Sequence, residues 1–204
     1  CKIMALQNLD INRIEWEYIE EPKQTLSMHP EKFALWLFIV TVVMIFAALT
    51  SAYIVRQSEG NWLEFDLPQT LYITSGIILA SSISMQWSYL AAKSDNITSL
   101  RLSTLLTALL GIAFLIGQYI AWQDLVAMDV YFVGNPAGSF MYVLTGLHGV
   151  HLISGVIFLI LVTVNAFRYK VHSKSMDQIE MCATYWHFLD GLWLYLFLFL
   201  ILNH

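Results

Sequence analysis

The sequence predicts an all-α polytopic membrane protein: a bundle of five transmembrane helices, N-terminus inside and C-terminus outside. Three observations predict it. Of 204 residues, 58% are hydrophobic and only 12% charged, whereas soluble domains carry about 25% charged residues. Five stretches are apolar over the roughly 20 residues that a helical span requires. Lysine and arginine divide nine to one between the two ends of those stretches.

The first span covers about 32–56, "KFALWLFIVTVVMIFAALTSAYIVR". The second covers about 69–92, the third 101–122, the fourth 139–168 and the fifth 180–202. Their length and lack of alternation select helices, since lipid admits only helices or closed barrels. Residues 1–31 form a polar, acidic arm without a span, and residues 32–204 form one transmembrane domain. No removable signal peptide is expected, because the first apolar run is too long and begins too late.

Orientation follows from the cations. Lys2, Arg13, Lys23, Lys32, Lys93, Arg101, Arg168, Lys170 and Lys174 fall on one side, and Arg56 alone on the other. The loops beside Arg56 carry Glu59, Glu64, Asp66, Asp124 and Asp129 instead. The excess marks the cytoplasmic side. A net charge of −5 with no basic run argues against nucleic acid as a partner. Two cysteines, Cys1 and Cys182, make neither a disulfide framework nor a zinc site. A leading Cys raises N-terminal acylation, but that chemistry belongs to the outer face and the arm is placed inside. A truncated or reannotated start is the expected reading.

Polar groups at bilayer depth cost several kcal/mol on insertion scales (~2.5–3.5 for a charge) and need a reason. The candidates are Gln118, His148, His151, Glu180, His187 and Asp190, all expected to be buried and structural. His148 and His151 are spaced i,i+3 and share a helix face. Gly146, Gly149 and Gly155 lie around them and permit close approach of another helix. Glu180, Thr184, His187 and Asp190 form a second stripe. A bis-histidine haem needs one His from each of two facing helices; His151 with His187 offers this in principle, but two histidines on adjacent turns are not the spacing of paired haems and no second set exists. Metal ligation is poorer, because Cys182 and the carboxylates do not converge at a readable spacing. A proton path or transporter also places ionisable groups at mid-depth, but no internal repeat or Pro-broken span accompanies them. Polar packing against a larger partner is the favoured reading on physical grounds. Trp62 and Trp122 read as aromatic-belt residues. Trp186 and Trp193 fit either interface anchors or core packing.

Five stretches together resemble subunit III of the haem–copper respiratory oxidases. They are "KFALWLFIV" through "FAALTSAY", "LPQTLYITSG", "FLIGQYIAW", "GSFMYVLTGLHGVHLISGVIFL" and "EMCATYWHFLDGLWLYLFL". "TGLHGVH" and "YWHFLDGLWL", in this order, are the most specific. The resemblance covers about residues 30–203 and is to the short five-helix form, which implies a bacterial oxidase in the cytoplasmic membrane. It implies a subunit with no catalytic centre, haem or copper of its own, the haems and copper lying in partner subunits. It implies direct packing on subunit I, association with subunit II and the other subunits, phospholipid binding, and support of proton uptake and turnover stability while the complex reduces O2 to water. The electron donor, cytochrome c or quinol, is not legible. At one place the chain departs from the pattern. Many members carry a buried glutamate in the first of these helices; here "LFIVTVVMIF" places Val42 there, so a proton-tuning role for that carboxylate does not transfer.

Arg168, in "NAFRYK", matches the family's inner end of the fourth span, where a snorkelling arginine holds a lipid phosphate or simply sets topology. Asp190 and His151 fall near mid-depth, on helices expected to be antiparallel neighbours. Asp190 is therefore expected to hydrogen-bond His148 or His151, with a group on span two or the catalytic subunit as fallback. Alternatives to the subunit III reading are a nitric-oxide-reductase accessory protein, an unrelated small transporter and a haem-b anchor.

Overall fold

The computed structural model describes residues 30–63, 65–94, 96–167 and 176–203, with side chains for all of these except 165–167. Cys1, Arg168 and most of the acidic arm lie outside the described residues. Five helices make up the described structure: α1 (Pro30–Ser58), α2 (Gln69–Lys93), α3 (Ile97–Ala127), α4 (Pro136–Phe167) and α5 (Asp177–Asn203). Residues 35–204 form one compact unit.

α3 and α4 begin before their expected apolar runs, each behind a capping asparagine. The Asn96 side chain accepts from the Ser99 amide at 3.1 Å, so α3 starts at Ile97, before the apolar run begins. Asn135 Oδ1 accepts from the Ala137 amide at 2.9 Å, and Pro136 takes the first helical position, where its missing N–H costs nothing. Asn135 also reaches back to the α1–α2 loop, donating to the Asn61 carbonyl at 3.2 Å. That loop turns through Gly60 (φ 83°) and Asn61 (φ 55°), residues that tolerate left-handed backbone.

Four helices, α1, α3, α4 and α5, are long and apolar enough to cross a membrane. The expected second span, α2, is helical where predicted but less apolar than those four. Its serines explain this. Ser75, Ser81, Ser84 and Ser88 are buried and bond to neighbouring helices. Ser88 donates to Ser103 Oγ at 2.7 Å, Ser84 to the Ser103 carbonyl at 3.1 Å, and Thr107 to Ser84 Oγ at 3.0 Å. The α2–α3 turn is short, so the two helices are antiparallel and close, and hydroxyls fit where longer side chains would hold the backbones apart.

α5 lies against both α2 and α4. Trp186 and Trp193 are fully buried, which settles them as core. Their indole N–H groups donate to Ser81 (2.7 Å) and Ser75 (3.0 Å) on α2. A Cβ at Gly111 would stand 2.7 Å from the Trp186 ring, and one at Gly155 would stand 2.9 Å from Leu189 Cδ1. Gly155 lets α4 approach α5 closely, and Gly111 leaves room on α3 for the Trp186 ring that α5 sends across. Trp122 donates to Thr145 on α4 at 3.0 Å. Trp62 stacks edge-on against Tyr53 at 4.6 Å, and its indole N–H has no hydrogen-bond partner among the described residues.

α1 packs differently. α1 is the least buried of the four apolar helices, at 22% of its apolar window against 39–50% for the others. Val42, Phe46 and Tyr53 are buried, and Tyr53 packs edge-on against Phe140 and Phe199 at 5.6 and 5.1 Å. Tyr53 and Gln57 donate to the Asn203 carbonyl at 2.8 and 3.0 Å, satisfying an acceptor that the end of α5 leaves open.

Candidate functional site

The six polar residues singled out in the sequence do not form one cluster. His148, at 0% exposure, sits in the centre of the bundle. Its ring stacks tilted on Trp193 at 5.1 Å and meets Phe114 edge-on at 6.0 Å. Gln118 and Asp190 are each 3% exposed. Neither ring nitrogen of His148, neither Asp190 oxygen and neither polar atom of Gln118 has a hydrogen-bond partner among the described residues.

The expected Asp190 pairing with His148 or His151 is therefore not formed within the chain. Helix phase is the reason. Residues 186, 190 and 193 share the face of α5 that meets α2, so Asp190 points into the same seam as the two tryptophans. Ser82 lies beside its carboxylate, but that hydroxyl is engaged by His187 Nδ1 at 2.8 Å. His148 faces α3 and α5 through its aromatic neighbours, and the Trp193 ring stands against it.

His151 turns the other way. It is half-buried, and its Nδ1 donates to the Leu147 carbonyl of its own helix at 2.8 Å. Its ring packs on Phe38 and Phe46 of α1 at 6.1 and 5.8 Å. The i,i+3 spacing put the two histidines on neighbouring rather than identical directions, and the bundle sends them to different helices. His187 corrects the sequence reading as well. It is half-buried rather than buried, bonded to Ser82 and, at 3.3 Å, to Gln86 Oε1 on α2. His151 and His187 thus face different neighbours and do not oppose each other. Glu180 is exposed rather than buried, because it lies on the outer face of the first turns of α5, whose inner face buries Ile179 and Cys182. Among the described residues no group of three or more His, Cys, Asp or Glu converges as a metal site.

The polar groups that hold helices together were largely missed. They are the α2 hydroxyls with Ser103 and Thr107, and on the other side Ser154, whose Oγ lies 2.8 Å from the Tyr185 hydroxyl. A signal was present: hydroxyls recur at spacings of three and four or their sums at Ser81, Ser84 and Ser88 in α2, the repeat of one helix face. Gly111 carried no such signal. Of the glycines that did stand out, Gly155 is tightly packed, while a Cβ at Gly149 would meet nothing within 4 Å.

The arrangement is that of a structural bundle with an unusually polar centre. Val42, at 0% exposure, places a side chain without polar atoms in the core of α1. Comparison with known proteins places these features in context. The family profile described as "Cytochrome c oxidase subunit III" matches residues 61–203, the part holding α2 to α5. The chain is similar to a probable cytochrome c oxidase subunit 3 of Mycobacterium bovis, 30% identical over 161 residues, 76% of this chain and 79% of the relative. It is similar to cytochrome c oxidase subunit 3 of Corynebacterium diphtheriae, 28% identical over 169 residues, 79% of this chain and 82% of the relative. It is also similar to a cytochrome bo(3) ubiquinol oxidase subunit 3 of Buchnera aphidicola, 27% identical over 176 residues, 84% of this chain and 93% of the relative.

Proposed function

Since the chain belongs to the cytochrome c oxidase subunit III family, we propose that it is the non-redox subunit III of a haem–copper terminal oxidase. In this reading it packs directly on catalytic subunit I, associates with subunit II, and supports proton uptake and turnover stability of a complex that reduces O2 to water. The observation that carries the reading is the family match through the segments containing "TGLHGVH" and "YWHFLDGLWL". The side-chain geometry supports a structural rather than a ligating role. His151 bonds its own backbone, His187 bonds α2, and His148 is sandwiched by aromatic rings. The haems and copper are assigned to partner subunits, and the electron donor, cytochrome c or quinol, to a site on them.

The proposal includes five spans, with α2 completing the four more apolar ones, in the bacterial cytoplasmic membrane. The cation split supports N-in, C-out topology. Arg168 is proposed to hold a phospholipid phosphate at the inner end of α4, and residues 1–31 to form a separate arm.

Native mass spectrometry of the complex purified through this chain tests the function. Co-purification with a haem–copper subunit is the expected result. Deleting the chain should leave the haems in place and initial turnover partly intact, with faster loss of activity. A stoichiometric haem on the isolated chain, seen as a Soret band, overturns the reading. For topology, a cysteine at Glu64 should react with an impermeant reagent in intact cells; reaction only after lysis reverses the orientation.

A further inference from the structure

Ser82, His187 and Gln86 form a hydrogen-bonded chain on the outward side of the α2–α5 seam. Ser82 and His187 lie within a turn of the midpoints of α2 and α5, and Gln86 about 7.5 Å from that of α2 at ~1.5 Å per residue. Gln86 Oε1 is an acceptor, so His187 Nε2–H donates to it, and the Ser82 hydroxyl bonds Nδ1 on the other side of the ring. The hydrogen-bonded chain ends on the Gln86 amide nitrogen, whose two N–H groups have no partner among the described residues and whose side chain is exposed. Exposed hydroxyls elsewhere behave otherwise: Thr41 and Ser154 return their hydrogens to carbonyls of their own helices at 2.7 and 2.6 Å.

Lipid tails offer such donors nothing, and at this depth the headgroups are out of reach of a side chain of glutamine's length. The same face is notched: a Cβ at Gly76 or Gly191 would meet nothing within 4 Å. Behind it sits Asp190, 3% exposed, with Ser82 beside its carboxylate. Donors at mid-depth beside small residues are what a polar helix–helix contact in a membrane is made of.

We propose that the α2–α5 face centred on Ser82, His187 and Gln86 seats a transmembrane helix of another oxidase subunit, one that presents a hydrogen-bond acceptor to the Gln86 amide and a ridge beside Gly191. This rests on the subunit III reading, and deepens it by naming the face. The test uses the whole complex in native membranes, with a photo-crosslinking residue in place of Ile83, which is 74% exposed between Ser82 and Gln86, or of Val150, 62% exposed on α4. The Ile83 probe should crosslink another oxidase subunit. Crosslinking at Ile83 to lipid, to a second copy or within the chain overturns the proposed face. If the complex still co-purifies and Val150 captures the subunit instead, the face alone is wrong and the functional reading stands; a chain that does not co-purify with an oxidase removes both. Gln86→Leu should lower retention of the chain after detergent challenge by about three- to thirty-fold, the range of one interhelical hydrogen bond in a membrane. Unchanged retention overturns the role of the amide.

Discussion

The α2–α3 hairpin and α1 are attached to the same bundle by different means. In the hairpin, Ser84, Ser88, Ser103 and Thr107 bring two backbones together and bond across the gap. Along α1 burial is sparse: Ile39, Val42, Phe46, Thr50 and Tyr53 are its buried side chains. α5 is half buried over its apolar window, whereas α1 is 22% buried. In lipid no hydrophobic force draws helices together, so attachment depends on packing distance and polar bonds. Changes of side-chain size should therefore be felt in the serine-lined and glycine-lined seams and hardly at all on much of α1.

Enlarging a side chain in a tight seam is expected to have the largest effect. Gly111→Leu drives a branched side chain into Trp186, one of the largest buried groups. Overpacking of this kind costs about 1–3 kcal/mol and should lower the thermal midpoint in detergent. The matched change on α1, Ala47→Leu or Ala48→Leu, places the new atoms on an exposed face and should leave the midpoint unchanged. Equal effects at the two sites would remove the distinction between a densely and a sparsely covered helix.

The next effect concerns the hydroxyls. Ser103→Val removes the acceptor of Ser88 and forces a larger branched group between α2 and α3. Ser103→Ala removes the acceptor alone. A double-mutant cycle with Ser88→Ala isolates the bond, and about 0.6 kcal/mol is expected, with a ceiling near 1.7. A coupling of zero would mean that α2 and α3 are held by packing alone.

How much of this was legible follows from what the sequence encodes. Helix positions were readable because apolar length is a one-dimensional property; even the overruns at Ile97 and Pro136 trace to Asn96 and Asn135 beside them. Burial of His148, Gln118 and Asp190 was readable too, since a polar group in a long apolar run is most stable inside. Partner identity was not. It depends on rotational phase and on which helices become neighbours, so Asp190 was assigned first to the histidines of α4, with span two as the fallback, and its face turns to α2. The Trp122 N–H pairs with Thr145 on α4, a partner that the one-dimensional pattern does not reveal. The serines of α2 were overlooked because they lower apolarity, and that drop is the mark of a helix bonded to two others.

A smaller effect is expected where α1 meets the end of α5. Tyr53→Phe deletes the 2.8 Å bond to the Asn203 carbonyl but keeps the ring and its three aromatic contacts. Gln57 still donates to that carbonyl at 3.0 Å, so the acceptor is not stranded. The loss should therefore fall at the low end of the usual ~0.5–1.5 kcal/mol. Tyr53→Phe combined with Gln57→Leu should exceed the sum of the two single changes, because only the pair leaves the carbonyl unsatisfied. Thermal melts of the four proteins measure this, and strict additivity would show that water or detergent serves the carbonyl equally well.

The smallest effect belongs to the bond between Thr50 and Tyr195, whose oxygens are 3.0 Å apart. The Thr50 hydrogen is already shared between the carbonyls of Phe46 and Ala47 at 2.9 and 3.2 Å. Tyr195 must then be the donor and Thr50 the acceptor. The tyrosine is 47% exposed, so its hydroxyl is not locked away when the partner is lost. Tyr195→Phe removes a donor and leaves Thr50 with only an unused lone pair, a cheap loss of at most about 0.5 kcal/mol. Thr50→Val leaves the tyrosine hydroxyl unpaired in a half-apolar setting and should cost somewhat more. In Tyr195→Phe the Thr50→Val change should then cost less than it does alone. The reverse order, with Tyr195→Phe the costlier single change, would mean that Thr50 donates across the gap. α1 would then be tied to α5 by a hydrogen its own backbone has given up, and its attachment would resemble that of the hairpin after all.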